Sequence, residues 1–297
     1  LNGPSFFAPL VNFLSTLAFL LVPLALPILY WVAFFRWLGK LVKINRSIQV
    51  DTAPASPDDV VGLDREALHE LTSELESLGF ETKTDTLRHY RLDNPSPSRA
   101  SASSPPIPDP RVHLEGASRA PALSYLPTEF VRTLVHPTQG CLGRISYVTY
   151  TMTGRQKPSS SWLHVEIVSF SGLGDEDWVY STSNAFFPAR FRQTSKLFRH
   201  PRRLYTRLAK QSALETFNFH IVRRGDIAQA GAIRWKSDLA NSDHQLYEAR
   251  VLKDVHDGYR KISLLVTAVK LMNPRGEPHN FEWLGELRGK VPHSTPT

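Results

Sequence analysis

The longest apolar stretch opens the chain. Leu1 to Phe35 contain no charged side chain, and Arg36, Lys40, Lys43 and Arg46 follow before the first acidic residue, Asp51. A helix crossing roughly 30 Å of hydrocarbon needs about 20 mainly apolar residues, because nothing in lipid satisfies bare backbone groups. Phe6 to Leu38 exceeds that length, so the pattern predicts a transmembrane helix inside a membrane anchor with a basic collar, residues 1–46. Pro23 and Pro27 interrupt it, which predicts one kinked span in preference to a re-entrant hairpin. Lys and Arg beside a span are retained on the cytoplasmic side. The expected location is therefore the inner cell membrane, single-pass, with the rest of the chain cytoplasmic. A cleavable signal would place its positive charges before a shorter apolar core, the reverse of this order. Tyr30, Trp31, Phe34, Phe35 and Trp37 crowd the basic end, as aromatic side chains do at headgroup depth.

Beyond the collar the hydrophobic spacing changes repeatedly. Residues 47–63, with Pro54 and Pro57, read as a linker leading to a soluble domain over 64–290. Leu68, Leu71, Leu75 and Leu78 recur at helical spacing after Asp64 and stop at Gly79. Glu81 to Leu92 reads as an edge strand, and the Pro/Ser-rich stretch 94–110 as an extended loop. Arg144–Thr153, Trp162–Ser171 and Trp178–Ser183 are rich in β-branched and aromatic residues, with a further strand possible over Arg132–His136. Their short connections, including Gly172-Leu173-Gly174-Asp175, predict antiparallel neighbours. After Pro188 the spacing predicts helices over Arg203–Phe219 and, with an interruption, Asp226–Val255. Ile262–Met272 reads as a buried helix or strand and 291–297 as a loose tail. The expected fold class is α+β: the transmembrane helix, then one domain whose mostly antiparallel sheet is covered by helices on one face.

Charge and chemistry narrow the function only by elimination. The formal charge is +7, unevenly spread: Asp58–Asp85 is acidic, whereas Phe191–Leu214 has no Asp or Glu and holds Arg192, Lys196, Arg199, Arg202, Arg203, Arg207 and Lys210. Beside a bilayer such a run suits anionic headgroups, which rank above nucleic acid as its partner. The lone Cys141 excludes an internal disulfide and a cysteine metal cage. Gly285-Glu286-Leu287-Arg288-Gly289-Lys290 lacks the spacing and the Ser/Thr of a phosphate-binding loop. Asp175-Glu176-Asp177 and Asp254/His256/Asp257 offer oxygen and imidazole ligands only if others converge, so no cofactor or metal is expected. His164 and Glu166 alternate along one strand, the best available acid/base pair.

These features predict a non-enzymatic accessory or scaffold subunit of a larger membrane complex, respiratory or photosynthetic among the candidates, with other integral membrane subunits as partners. The alternatives are a membrane-tethered enzyme and a lipid or nucleic-acid binding module. The expected contacts with partner or lipid are Trp31, Phe34, Phe35, Arg36, Trp37, Lys40, Lys43, Phe186, Phe187, Arg190, Arg192, Arg199, Arg202, Arg203 and Arg207. Aromatic and arginine side chains dominate interface hot spots.

Overall fold

The computed structural model describes residues 30–36, 39, 43, 48–92, 125–152, 158–186, 199–240, 242–261 and 278–292. Eight strands lie side by side in chain order: β1 (Ile48–Pro54), β2 (Glu81–Leu92), β3 (Tyr125–His136), β4 (Cys141–Met152), β5 (Pro158–Phe170), β6 (Val179–Ser183), β7 (Arg203–Arg207) and β8 (Phe281–Trp283). Every neighbouring pair is antiparallel except β6 and β7. Three longer helices accompany the sheet: α1 (Arg65–Ser77), α2 (Ala213–Gly231) and α3 (Asp243–Lys261). The class is α+β with a mostly antiparallel sheet.

Alternation along the strands sorts side chains onto two faces. Phe130, Leu134, Ile145, Tyr147, Val165 and Ile167 share one core cluster with Leu68 and Leu75 of α1 and Ala213 of α2. The intervening positions, Arg144, Ser146, His164 and Glu166 among them, point the other way, and α3 covers them. Helices therefore occupy both faces, where covering of one face was expected. The cause is chemical: α3 meets the sheet largely through charged groups, so apolar spacing carries no record of the contact.

Local signals explain the helix ends. Asp64 accepts a hydrogen bond from Ala67 N at 3.0 Å and starts α1, and Gly79 stops it at φ +97°, a conformation that costs glycine little. Ser212 and Glu215 form a reciprocal capping box that starts α2. The β3–β4 turn closes on Gly140, where a Cβ would stand 2.2 Å from the Lys236 carbonyl oxygen.

Several expectations need correction. Residues 48–54, inside the presumed linker, form edge strand β1, paired along β2 from Ile48↔Leu92 to Pro54↔Thr86. Arg203–Arg207 is a strand. Its Leu204 and Leu208 are four apart, which mimics a helix, but Leu204 and Thr206 are both buried, the period of a strand. The interruption expected within Asp226–Val255 is present, since Ala232 at φ 50° ends α2 and α3 begins at Asp243, but α2 begins earlier than expected, at Ala213. Val291, placed in the loose tail, is buried with Ile227, Leu284 and Leu287. Strands β2, β3, β4, β5 and β6 lie where strands were expected, β3 starting earlier, at Tyr125, but β2 is not an edge strand, since β1 and β3 flank it.

Residues 30–36 are helical, with Trp31 and Phe35 stacked at 5.7 Å. Among the described residues no helix is long and apolar enough to cross a membrane. Most of the expected anchor, the loop 94–110 and Ile262–Met272 lie outside the described residues.

Candidate partner surface and the enclosed polar clusters

The expected acid/base pair sits at the centre of the charged face. Glu166 accepts from Arg144 Nη1 at 2.6 Å, and Arg144 Nε lies 3.1 Å from Glu248 of α3. Arg88 of β2 donates to Glu129 at 3.0 Å and also reaches Glu248, so one α3 carboxylate joins two arginines from different strands. Tyr247 stacks on Phe170 at 6.0 Å, with the Arg144 guanidinium 5.8 Å from its ring. Burial dominates His164 and pushes its pKa below the usual imidazole range, against the opposing pull of Glu166 and Glu129. Burial works to raise Glu129, but Arg88, Arg144 and His164 together hold its carboxyl below the usual range. Glu166, its side chain 20 % exposed, is thus committed to Arg144, and His164 is a buried imidazole.

A second polar cluster lies on the opposite face. His220 of α2 is fully buried, with Nε2 2.9 Å from Ser169 Oγ and Nδ1 3.0 Å from Thr182 Oγ1. Tyr180 stacks on the imidazole at 4.9 Å. Burial, reinforced by Arg224, pushes His220 down to about 3. A serine beside an imidazole suggests nucleophilic chemistry, yet Ser169 and His220 are both 0 % exposed and both ring nitrogens are occupied. Cys141 is equally enclosed, and burial pushes its thiol up to about 12. A thiol that stays protonated at neutral pH is a poor nucleophile. Nothing in the sequence marked Ser169, Thr182 and His220 as neighbours, since they come from three separate elements.

The expected ligand triplets are also engaged. Asp175 pairs with Lys253 at 2.9 Å, Glu176 with Arg202 at 2.8 Å, and Asp254 with Arg203 at 2.9 Å. Asp177 accepts from Gly174 N at 2.6 Å. Among the described residues no group of three or more His, Cys, Asp or Glu converges on a metal-sized site.

Around the outer strands β7 and β8 cations and aromatic rings meet, half-buried at Trp178, Arg199, Arg202, Tyr205, Phe281 and Trp283. The Arg199 guanidinium lies 4.5 Å from the Trp283 ring and 5.0 Å from that of Phe281, and Phe281 in turn contacts Tyr205 at 5.7 Å. Arg202 lies 5.6 Å from the Trp178 ring. This cation–aromatic ladder stands where β7 begins. Where β6 and β7 finish there is a second group: Phe186, 46 % exposed, stacks on His279 at 4.3 Å with Lys210 Nζ 5.1 Å from its ring. Arg203 and Arg207 are committed within the domain. Arg203 pairs with Asp254, and Arg207, 3 % exposed, donates to the His279 and Pro278 carbonyls at 2.9 Å each.

Trp31, Phe35 and Arg36 are exposed and Phe34 half-buried on the helical residues 30–36, and Lys43 is exposed. Trp37, Lys40, Phe187, Arg190 and Arg192 lie outside the described residues. The aromatic partners Phe281 and Trp283 went unnoticed in the sequence. Their only signal was the Phe-Glu-Trp alternation of a three-residue strand.

No protein-family model, curated protein or solved structure matches the chain, so its function is argued from these residues alone.

Proposed function

We propose that the domain is a non-enzymatic docking module, an accessory or scaffold subunit of a larger membrane complex, tethered through the apolar N-terminal segment. One contrast carries the reading: Ser169, His220, Cys141 and His164 are buried away from solvent, whereas cations and aromatic rings gather half-buried along the β7–β8 border beside the exposed Phe186 and Lys210. Arginine and aromatic side chains supply most binding energy at protein interfaces, and stacking holds a guanidinium in place before a partner arrives. The occupant that fits is an acidic segment of another membrane subunit.

Photo-crosslinking tests this. With p-benzoylphenylalanine at position 186 or 283, the full chain at native abundance is expected to give a discrete adduct with a membrane subunit. Arg199→Glu together with Arg202→Glu should abolish the adduct, and His164→Gln should leave it intact. Recovery of a lone monomer in mild detergent, with no adduct, would remove the proposal.

A further inference from the structure

Three arginines of this fold satisfy Nε and Nη2 together; Arg144 leaves both without a hydrogen bond but is ion-paired to Glu166 and Glu248, whereas Arg250 has no such pair among the described residues. Arg223 directs Nε and Nη2 at the two Glu282 carboxylate oxygens, 2.7 Å each. Arg132 does the same with Asp85 at 2.8 and 2.6 Å, and Arg207 sends both atoms to backbone carbonyls. Arg250 of α3 is only 6 % exposed, yet its Nε and Nη2 are both buried and have no hydrogen-bond acceptor. Its remaining nitrogen, Nη1, makes a long 3.3 Å bond to the Gly172 carbonyl.

Leaving buried donors unbonded is costly, and folded proteins almost always satisfy them. Two empty donors on the same edge of one guanidinium form the fork that takes two oxygens of a carboxylate or phosphate side-on. The neighbouring carboxylates are directed elsewhere: Asp254 Oδ2 accepts from Arg203 Nε, the Asp177 carbonyl from Arg203 Nη1, Asp177 Oδ2 from Gly174 N, and Asp175 from Lys253. Burial and the like charge of Arg203 lower the pKa of the Arg250 guanidinium, against the opposing pull of Asp254, Asp177 and Asp175. An arriving oxyanion supplies the missing acceptors.

We propose that the Nε–Nη2 fork of Arg250, backed by Arg203 and Lys253, is a binding site for a phosphate-type oxyanion from solvent. The fork's planarity selects paired oxygens over a spherical ion. The residues 171–178, between β5 and β6, wall the site from outside, with Gly174, Asp175 and Glu176 exposed. The site adjoins the β7–β8 docking border, sharing Arg203 of β7 and the loop that carries Glu176 and Trp178, but phosphate binding needs no docking partner.

The test uses the full chain in mild detergent with inorganic phosphate as the probe, at ionic strength held constant with sodium chloride. Phosphate at ten times its Kd is expected to raise the unfolding midpoint by roughly 3 °C. In ¹⁵N-arginine-labelled protein the Arg250 Nε–H resonance should shift along the same titration. Arg250→Lys keeps the charge and removes the fork, so it should lose both responses, while Arg234→Lys at an exposed position keeps them. If the lysine variant does not fold, Arg250→Met replaces it, with the same expected loss. Equal stabilisation of an Arg250 variant and the wild type would mean an adventitious ion only and overturn the site. A wild type that phosphate does not move would assign the fork to ordered water and overturn it as well.

Discussion

The two faces of one sheet are covered by different physics. Alternate residues of the same strands meet α1 and α2 through Phe130, Leu134, Ile145, Val165, Ile167, Leu68 and Leu75 on one side. On the other side α3 meets them through Arg88, Glu129, Arg144, Glu166 and Glu248, with a smaller apolar patch around Phe170 and Tyr247. Apolar contacts are non-directional and tolerate a change of partner, whereas buried charges stabilise only while each partner stays in place. The first face sets how much stability the domain has. The second sets how sharply α3 is located.

The charged face should show the larger response to a single change. Glu248→Ala leaves Arg88 and Arg144 facing a vacancy, and breaking a buried ion pair from one side costs about 3–5 kcal/mol. Chemical denaturation would read it as a lower midpoint. A loss below about 1 kcal/mol would mean that α3 is held by Tyr247 and its apolar neighbours instead. On the apolar face, Leu75→Ala at a 0 % exposed position should cost about 2–4 kcal/mol by lost burial and a cavity. Added salt should leave that loss unchanged, because the contact contains no charge.

Acid should act on both faces. The folded-state pKa of His220, about 3, lies below its unfolded value, so the unfolded chain binds the extra proton between them. Stability is thus fully present above roughly pH 6.5 and falls as the pH drops toward 3, by up to about 1.4 kcal/mol per pH unit. His220→Gln should flatten that slope in a pH series of unfolding curves. His164, also lowered by burial, acts in the same direction on the charged face. The smallest effect expected is that of Ser212→Ala, which removes the α2 capping box at a cost of about 1 kcal/mol. Thermal unfolding would show it as a shift of a few degrees.

The legible parts of the fold were those in which one apolar period ran uninterrupted. Leu68 to Leu78 located α1, and the β-branched runs located β4, β5 and β6. The period misled where two readings coincide: Leu204 and Leu208 satisfy a helix as well as the end of a strand, and only pairing with β6 decides. It was silent where burial is polar. Arg144 read only as the start of a strand and Glu166 as half of an acid/base pair, because their cover, Glu248, lies more than 80 residues downstream in an equally polar helix. The candidate surface divided in the same way. Phe186, Arg199 and Arg202 were recognisable by residue type, whereas Phe281 and Trp283, which orient Arg199, arrive from a strand too short to announce itself.

The parallel step from β6 to β7 has a consequence for synthesis. Strands β3 to β6 can zip together hairpin by hairpin as they leave the ribosome, each finding its neighbour nearby in sequence. The far border of β6 then stays bare until Arg203–Arg207 has been made and paired in parallel with it. A nascent protein stopped between Ser183 and Arg203 would carry an open hydrogen-bonding edge, the most adhesive surface a β-sheet can offer.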